Sequence, residues 1–580
     1  MNIGVDFGTA YTQVSYIHNG VVEVIKKSGL YGIDSLFYYD AERAQEQREK
    51  YERAIRKKIL ENAQSNKIEK TEEEINKETS ELINKLEKWC FGVVGSPANS
   101  YASQIGNAQN LVSNVKLHIG ETFELDGETF TSEEVIKAIY KEVIFNFAQN
   151  IMKKNLPESN IDGVVLTHPA EFEIDKINEI VKAAQYCDDS GKPLRIIGTI
   201  KEPVAAALSY YEKTNHPDGT GILVYDLGSG TCDVAIVRKQ KDLDQEYEVI
   251  DFGTIEVGGL DWDYIVFNYI ISEIKNRKPN GEDIINNEDN IFEFTKQARE
   301  IKEQLSAYAV VNKRISFRDS GDYIDVTLTR SMFDELSQTI RNQTINLLEK
   351  LYLSHYKEVN ISEIILVGGA SNMPQIKEDI ERRFEDKNIE VKLSNPEYAT
   401  CIGASIYADK VMEKLKEKYT DKEIDEKFEE SVSGDNSTSG NLAVLLYEDG
   451  KSKGVVTDAI PFSYGVMYHF SGKPYVKNLI TRGQHFPVVG YYDEFKPEID
   501  NATTVYIEIY ESNNSEMSYC YNGERLVGFV NLEIPEGVNR KDKIKCELKI
   551  LSLDAVEVTA ECKGKNVVGR FELIKPNQQN

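Results

Sequence analysis

Two apolar runs, 220 residues apart, end in the same way: Ile3-Gly4-Val5-Asp6-Phe7-Gly8-Thr9 and Leu223-Val224-Tyr225-Asp226-Leu227-Gly228-Ser229-Gly230-Thr231. Each reads as a buried strand that delivers an aspartate into a glycine-rich turn. After the second copy the chain returns to an apolar run, Cys232-Asp233-Val234-Ala235-Ile236-Val237, so that turn sits inside a β-hairpin. A P-loop differs, because its glycines open a helix and end in Gly-Lys-Ser/Thr.

The pattern changes sharply along the chain. Residues 1 to about 38 alternate as strands, with His18-Asn19-Gly20 as a turn. Ala41 to Lys88 is dense in Glu, Lys, Arg and Gln and holds no glycine or proline, which predicts long helices. Ile75, Thr79, Leu82, Leu86 and Trp89 follow steps of four and three, Ala44, Arg48, Tyr51 and Ile55 do so more loosely, and Thr71 with Glu74 forms a capping box. A helical hairpin turning near 64–70 follows. It is either a solvated insertion propped on its domain or an arm that binds a partner. From 130 to 410, helical and strand patterns alternate as in an α/β domain, with buried strands at 163–167 and 364–369 and helices at 174–187, 262–275, 291–308 and 331–352. Residues 413–453 are charged and then rich in Ser, Gly, Asn and Asp, a linker by composition. Beyond them, runs such as Thr504–Tyr510, Ile544–Ile550 and Ala555–Ala560 alternate at sandwich spacing. The domains are therefore 1–412, with the hairpin 41–88 inserted, and 454–580.

A chain of 580 residues with 41% hydrophobic content supports more than one core. A net charge of −28 argues against an unaided grip on nucleic acid or an anionic membrane. The seven cysteines, with no Cys-x-x-Cys pair, read as buried thiols in a reducing compartment. No basic leader or membrane-length apolar run is seen, so a cytoplasmic location is expected.

The repeated device carries the chemistry. An aspartate at a strand end can hold the water shell of Mg²⁺, while glycines and a threonine let backbone N–H groups close around phosphate oxygens. One copy is an ordinary turn as readily as a site; two copies point to a nucleoside triphosphate gripped between related halves.

An ordered series of further motifs accompanies the pair: Asn114-Val115-Lys116-Leu117-His118-Ile119-Gly120, Leu166-Thr167-His168-Pro169-Ala170, Lys201-Glu202-Pro203-Val204-Ala205-Ala206-Ala207, Val257-Gly258-Gly259-Leu260-Asp261, Val367-Gly368-Gly369 and Asn395-Pro396-Glu397. With them the chain resembles the seventy-kilodalton heat-shock chaperones of the actin and sugar-kinase ATPase superfamily. The resemblance implies a two-lobed actin-like α/β ATPase domain built on ribonuclease H-like repeats, followed by an all-β sandwich. It implies Mg²⁺ and ATP or ADP as cofactors, and unfolded or client polypeptides as partners.

Carried over by position, Asp6 and Asp226 bind Mg²⁺ through water, and Gly8, Thr9, Ala10 and Tyr11 cradle the β and γ phosphates with Gly228, Ser229 and Gly230 opposite. Lys116 reaches the γ-phosphate; without its flanking motif it would read as a surface lysine. Glu202 places the metal cluster or the attacking water, Asp226 accepts the water's proton, and Thr231 lies beside the γ-phosphate. Pro169 resembles the proline that relays nucleotide state. Adenosine lies against Gly368-Gly369 with Lys302 and Ser306 across it, a pair that equally suits ordinary helix packing. Gly258, Gly259 and Glu397 complete the nucleotide set. The chain departs from the family pattern at Ala10, Ser229, Ala370 and Asn372, which implies ATP binding with slow hydrolysis.

Gly454–Gly465 resembles a reduced form of the family's apolar interdomain linker and the first sandwich strand, which puts coupling between the domains in question. Val466–Phe470 and Tyr491–Phe495 lie near the peptide cleft in that resemblance, and core packing accounts for them equally. No helical lid is expected after the sandwich. Three functions compete: a lidless ATPase chaperone, a nucleotide-regulated scaffold or sensor with a dedicated partner on the hairpin or sandwich, and a small-molecule kinase. The appended β domain argues against the kinase.

Overall fold

The structure, a computed structural model, describes residues 1–573 apart from 27–30, 105, 158–159, 189–191, 241–245, 319, 434–441, 447–454, 498–499, 553–554, 563–564 and 570–571. The region where a lid would be sought, 574–580, lies outside the described residues.

Two sheets repeat one topology. In lobe I, strand Asn2–Phe7 pairs antiparallel with Tyr11–His18, which pairs with Val21–Val24; on its other side it runs parallel to Gly163–His168, and that strand to Ile196–Lys201. In lobe II, Thr220–Leu227 pairs antiparallel with Cys232–Lys239, then Tyr247–Ile255, and runs parallel to Asn360–Val367 and then Glu390–Leu393. Strands covered on both faces need continuous apolar runs, and Gly163–His168 and Thr220–Leu227 are buried at every position. Asn19 and Gly20 both take positive φ, 51° and 77°, the two-residue turn that matches strand twist.

Helices Glu202–Tyr211 and Ala399–Lys418 cross between the sheets, every residue buried in the first and most in the second. Their approach depends on Gly403, where a Cβ would lie 1.7 Å from the Ala205 carbonyl oxygen. The longer helix also presses on the first strand, since a Cβ at Gly4 would lie 2.2 Å from the Ser405 amide nitrogen.

The charged segment of lobe I folds into helices Ala41–Ser65 and Glu72–Ile83, and the Thr71–Glu74 capping box forms in both directions. One expectation is corrected: Leu82 is exposed and Ile83 is buried, giving an inner stripe of Ile75, Thr79 and Ile83. A stripe at steps of four follows the 3.6-residue turn of a short helix better than a heptad does.

A second correction concerns 413–433. Helix Ala399–Lys418 continues through its first part, and Asp421–Ser433 forms another helix whose Ile424 and Phe428 are buried. Charge density there marks solvated helix faces, and the apolar residues four apart supply the buried one. Most of the remaining linker expectation, including Gly454, lies outside the described residues.

The C-terminal part is all β. One sheet runs Ser518–Cys520, Lys473–Ile480, Ser463–Phe470, Ala502–Ser512, Arg525–Val538 and Glu572–Leu573; the other runs Val488–Phe495, Ile544–Ser552, Ala555–Cys562 and Lys565–Gly569. Between the domains, Val456–Thr457 joins the lobe II sheet as its edge strand, parallel to Tyr247 and Glu248. Val455 and Val456 are buried there, and an apolar cluster continues from Val5 and Leu166 of lobe I into Ile460, Tyr464 and Val527 of the β domain. Cys520, expected to be buried, is exposed, because its strand is only three residues long and forms a sheet edge. Among the described residues no helix is long and apolar enough to cross a membrane.

Candidate functional site

The two glycine turns have the same hydrogen bond at the same place: the Gly8 amide donates to the Tyr11 carbonyl at 3.0 Å, and the Gly228 amide to the Thr231 carbonyl at 3.0 Å. They face each other across the cleft, for a Cβ on Gly230 would lie 3.1 Å from the Thr9 hydroxyl oxygen and 2.8 Å from Leu117. Backbone can approach a ligand there because the side chains are missing.

Asp6 and Asp226 leave their strands at the base of these turns. Thr167 donates its hydroxyl to Asp6 at 2.9 Å. Lys116 sits on the short turn Val115–His118, its ammonium buried and hydrogen-bonded to the Glu202 carboxylate. Burial opposes the charge on Lys116, but Glu202 and Asp6 overrule it and hold its pKa above the ordinary lysine value. Burial pushes Glu202 up to about 8, with Lys116 working against the shift and Asp6 and Asp233 adding to it. Burial and the charges of Glu202, Asp233 and Asp6 raise Asp226 well above the usual carboxylate range, and burial also raises Asp6.

Several carboxylates thus crowd one ammonium, and the excess negative charge suits a cation. Among the described residues, no three such side chains are placed to hold a metal directly. A hydrated Mg²⁺ meets that arrangement, since it retains several waters and needs only one or two carboxylates. The fit to Mg²⁺ with a triphosphate is therefore good, with Asp6 and Asp226 as the residues that would face the water shell.

Asp233 went unremarked in the sequence reading. It lies opposite Asp226 in the hairpin register and is buried. One carboxylate oxygen accepts from the Ala170 amide at 2.8 Å and the Thr254 hydroxyl at 2.6 Å; the other accepts from the Thr231 hydroxyl at 2.8 Å. It therefore ties the Pro169-Ala170 turn of lobe I to the second clamp. The available signal was a lone carboxylate within an otherwise apolar strand. Beside Pro169, burial and Lys201 push His168 down to about 3, so the ring is neutral at physiological pH.

The residues expected around adenosine lie on the lobe II side. Helix Gly259–Arg277 starts on the second clamp, with the Gly259 amide donating to the Gly228 carbonyl at 2.9 Å and the Leu260 amide to Ser229 at 2.8 Å; Asp261 accepts from the Gly258 amide. Lys302 Nζ donates to the Gly259 carbonyl at 3.0 Å and pairs with Asp263 at 2.8 Å. Ser306, half-buried, lies one helical turn further on, and its carbonyl accepts from Arg330. Gly368 takes φ +81°, and a Cβ there would lie 2.5 Å from an Asp226 carboxylate oxygen. Gly369 faces open space, and the Asn372 amide folds back on its carbonyl at 3.2 Å. The Ala10 carbonyl accepts from the Ser35 amide at 2.8 Å. Glu397 is exposed, and its charge is felt at Tyr11.

Two contacts missing from the sequence reading span the mouth. The Arg299 guanidinium lies 5.2 Å from the centre of the Tyr11 ring, and Asp289 accepts from the Gly106 amide with both oxygens at 2.9 Å. In the β domain Val466 is buried, whereas Phe470 and Tyr491 are 65% and 63% exposed. The Tyr468 ring lies 5.8 Å from Tyr475 and 6.5 Å from Phe495.

Compared with known families, the chain matches the model described as Hsp70 protein over residues 108–421, more than half of its length. The match includes Lys116, Glu202, the second clamp, Lys302 and the Gly368 turn. It begins after the first clamp and ends before the β domain.

Proposed function

Since the chain belongs to the Hsp70 family of chaperone-type nucleotide-binding proteins, and with it to the actin-like ATPase superfamily, we propose that it binds Mg-ATP between its lobes, hydrolyses it slowly, and couples that cycle to the hold of its β domain on unfolded or client polypeptide. The observation that carries this reading is the junction at Lys201 and Glu202. Glu202 bonds Lys116 in the cleft, while its neighbour Lys201, fully buried, pairs with Asp458 at 2.5 Å and donates to the Ala459 carbonyl at 3.1 Å. Adjacent residues thus hold the phosphate side and the interdomain segment. Arg482 with Glu171, and Arg525 with Asp175 and Glu511, add ion pairs across or beside the same joint.

ATP would enter with its phosphates between the Gly8 and Gly228 turns. Lys116 would turn from Glu202 toward the γ-phosphate, where an ammonium neutralises charge that grows in the transition state. Bound Mg²⁺ supplies charge neutralisation on the phosphate oxygens. Asp226 would accept the proton of the attacking water, and Glu202 would orient that water. Releasing Glu202 from Lys116 would shift the start of helix Glu202–Tyr211 and with it the Lys201 anchor, the means by which nucleotide would bias the hold of the β domain.

Single-turnover hydrolysis with and without an unfolded peptide tests this, alongside Asp458→Asn. Slow, peptide-stimulated turnover that loses its stimulation in Asp458→Asn is expected. Binding of ATP without turnover, indifferent to peptide, would make the protein a nucleotide-gated binding module instead.

A further inference from the structure

Tyr464, Glu511 and Arg525 stand in one row across three neighbouring strands of the β domain, for Glu511 is the register partner of Tyr464 on one side and of Arg525 on the other. The Glu511 carboxylate accepts from the Tyr464 hydroxyl at 3.1 Å and from the Arg525 guanidinium at 2.8 Å, and only 4% of the residue is exposed. The start of the lobe I helix Ile174–Gln185 meets this row at Arg525. Asp175 pairs with the same guanidinium, and Glu173, which pairs with Lys176 at 2.8 Å, lies 4.0 Å from it. Two more contacts flank the joint: Arg482 of the β domain pairs with Glu171, and the His485 ring donates to the Val249 carbonyl at 2.9 Å.

One guanidinium thus serves three carboxylates, and two of the three belong to the other domain. With the domains apart, Glu511 keeps Arg525 and Tyr464, its neighbours in the sheet, and regains water. Docking takes the water away and brings Glu173 and Asp175 up to the same cation, and both changes favour a proton on Glu511. Burial, opposed by Arg525 and reinforced by Glu173, pushes its carboxyl up to about 7 from the usual 4.5, and burial raises Glu171 at the same joint. A group raised in this way contributes its full share below about 4.5 and loses it as the pH rises through about 7. We propose that the joint between lobe I and the β domain is proton-linked: docking takes up a proton at Glu511, so the domains hold each other more firmly in mild acid and loosen as the pH rises past neutrality. The device needs no nucleotide and stands whether or not the chain hydrolyses ATP.

Hydrogen exchange at the Tyr247, Val456 and Thr457 amides of the full-length, nucleotide-free protein reads the opening, because the interdomain strand is paired to the lobe II sheet there. Divided by the intrinsic rate, exchange should rise about tenfold from pH 6 to pH 8, the linkage of a group that titrates at about 7 when docked and near 4.5 when free. Glu511→Gln can still bond both strand neighbours but cannot ionise, and should exchange slowly at both pH values. Glu173→Gln should keep the rise and move its midpoint to lower pH, a shift that a merely structural carboxylate would not produce. His485→Gln, at the same joint, should leave the rise in place. A parent whose corrected exchange is flat overturns the proposal, as does a Glu511→Gln protein that follows the parent, or a rise lost in His485→Gln alone.

Discussion

Lobes I and II share one sheet topology and one clamp, yet they differ in what hangs between the third strand and the next parallel one. Lobe II inserts helices Gly259–Arg277 and Glu288–Ala307 and a two-stranded sheet, and the first helix begins on the clamp itself. Lobe I inserts a charged hairpin whose helices pack on each other and on the Lys88–Phe91 turn. The sheets thus set the phosphate chemistry, and the insertions decide what else each lobe can touch. The clamps are unequal as well: Asp226 is buried among carboxylates, whereas Asp6 is half-buried and hydrogen-bonded to Thr167.

The largest expected effect tests that inequality. Asp226→Asn and Lys116→Ala should each slow single-turnover hydrolysis by ~10²–10³-fold, the scale of losing one preorganised charge. Asp6→Asn should cost less, and an equal cost would make the clamps equivalent in function. Next comes the layer both lobes share: Gly403→Ala forces a Cβ onto the Ala205 carbonyl and should lower unfolding free energy by about 3 kcal/mol, read from denaturant melts. A replacement that melts like the parent would mean that the two crossing helices separate freely.

The third effect is one of pH. Glu202 has its folded-state pKa raised to about 8 from 4.5, so the folded protein without metal binds the extra proton. The stability it contributes is full below about 4.5 and is lost as pH rises through about 8. Thermal melts of metal-free protein should therefore fall over that window; Glu202→Gln should flatten the decline, and Mg-nucleotide should reduce it. The smallest effect belongs to the lobe I insertion. Replacing 42–83 with a short turn should leave basal hydrolysis within about twofold, the range of surface changes. A larger loss would put the hairpin in the catalytic machinery.

Much of this was legible from local patterns. Strand, aspartate and glycine turn recur within nine residues, and the Thr71–Glu74 cap needs only four. What escaped depended on partners far along the chain. Asp233 matters through Ala170, Arg299 through Tyr11, and Lys201 through Asp458, and no local period brings these together. Residues 421–433 escaped for another reason: composition outweighed the four-residue spacing of Ile424 and Phe428, which carries the helix. Leu82 and Ile83 were separated only by a shift of register around the helix.

The strand Tyr247–Ile255, edged by the short interdomain strand Val456–Thr457, bears a further consequence. Its Tyr247 amide donates to the Val455 carbonyl, its Val249 carbonyl accepts from His485 at 2.9 Å, and its Phe252 carbonyl accepts from Arg482 at 3.4 Å. The interdomain segment and the β domain therefore act as a shield for an open sheet margin. Parting the domains would bare that margin as a template for strand addition.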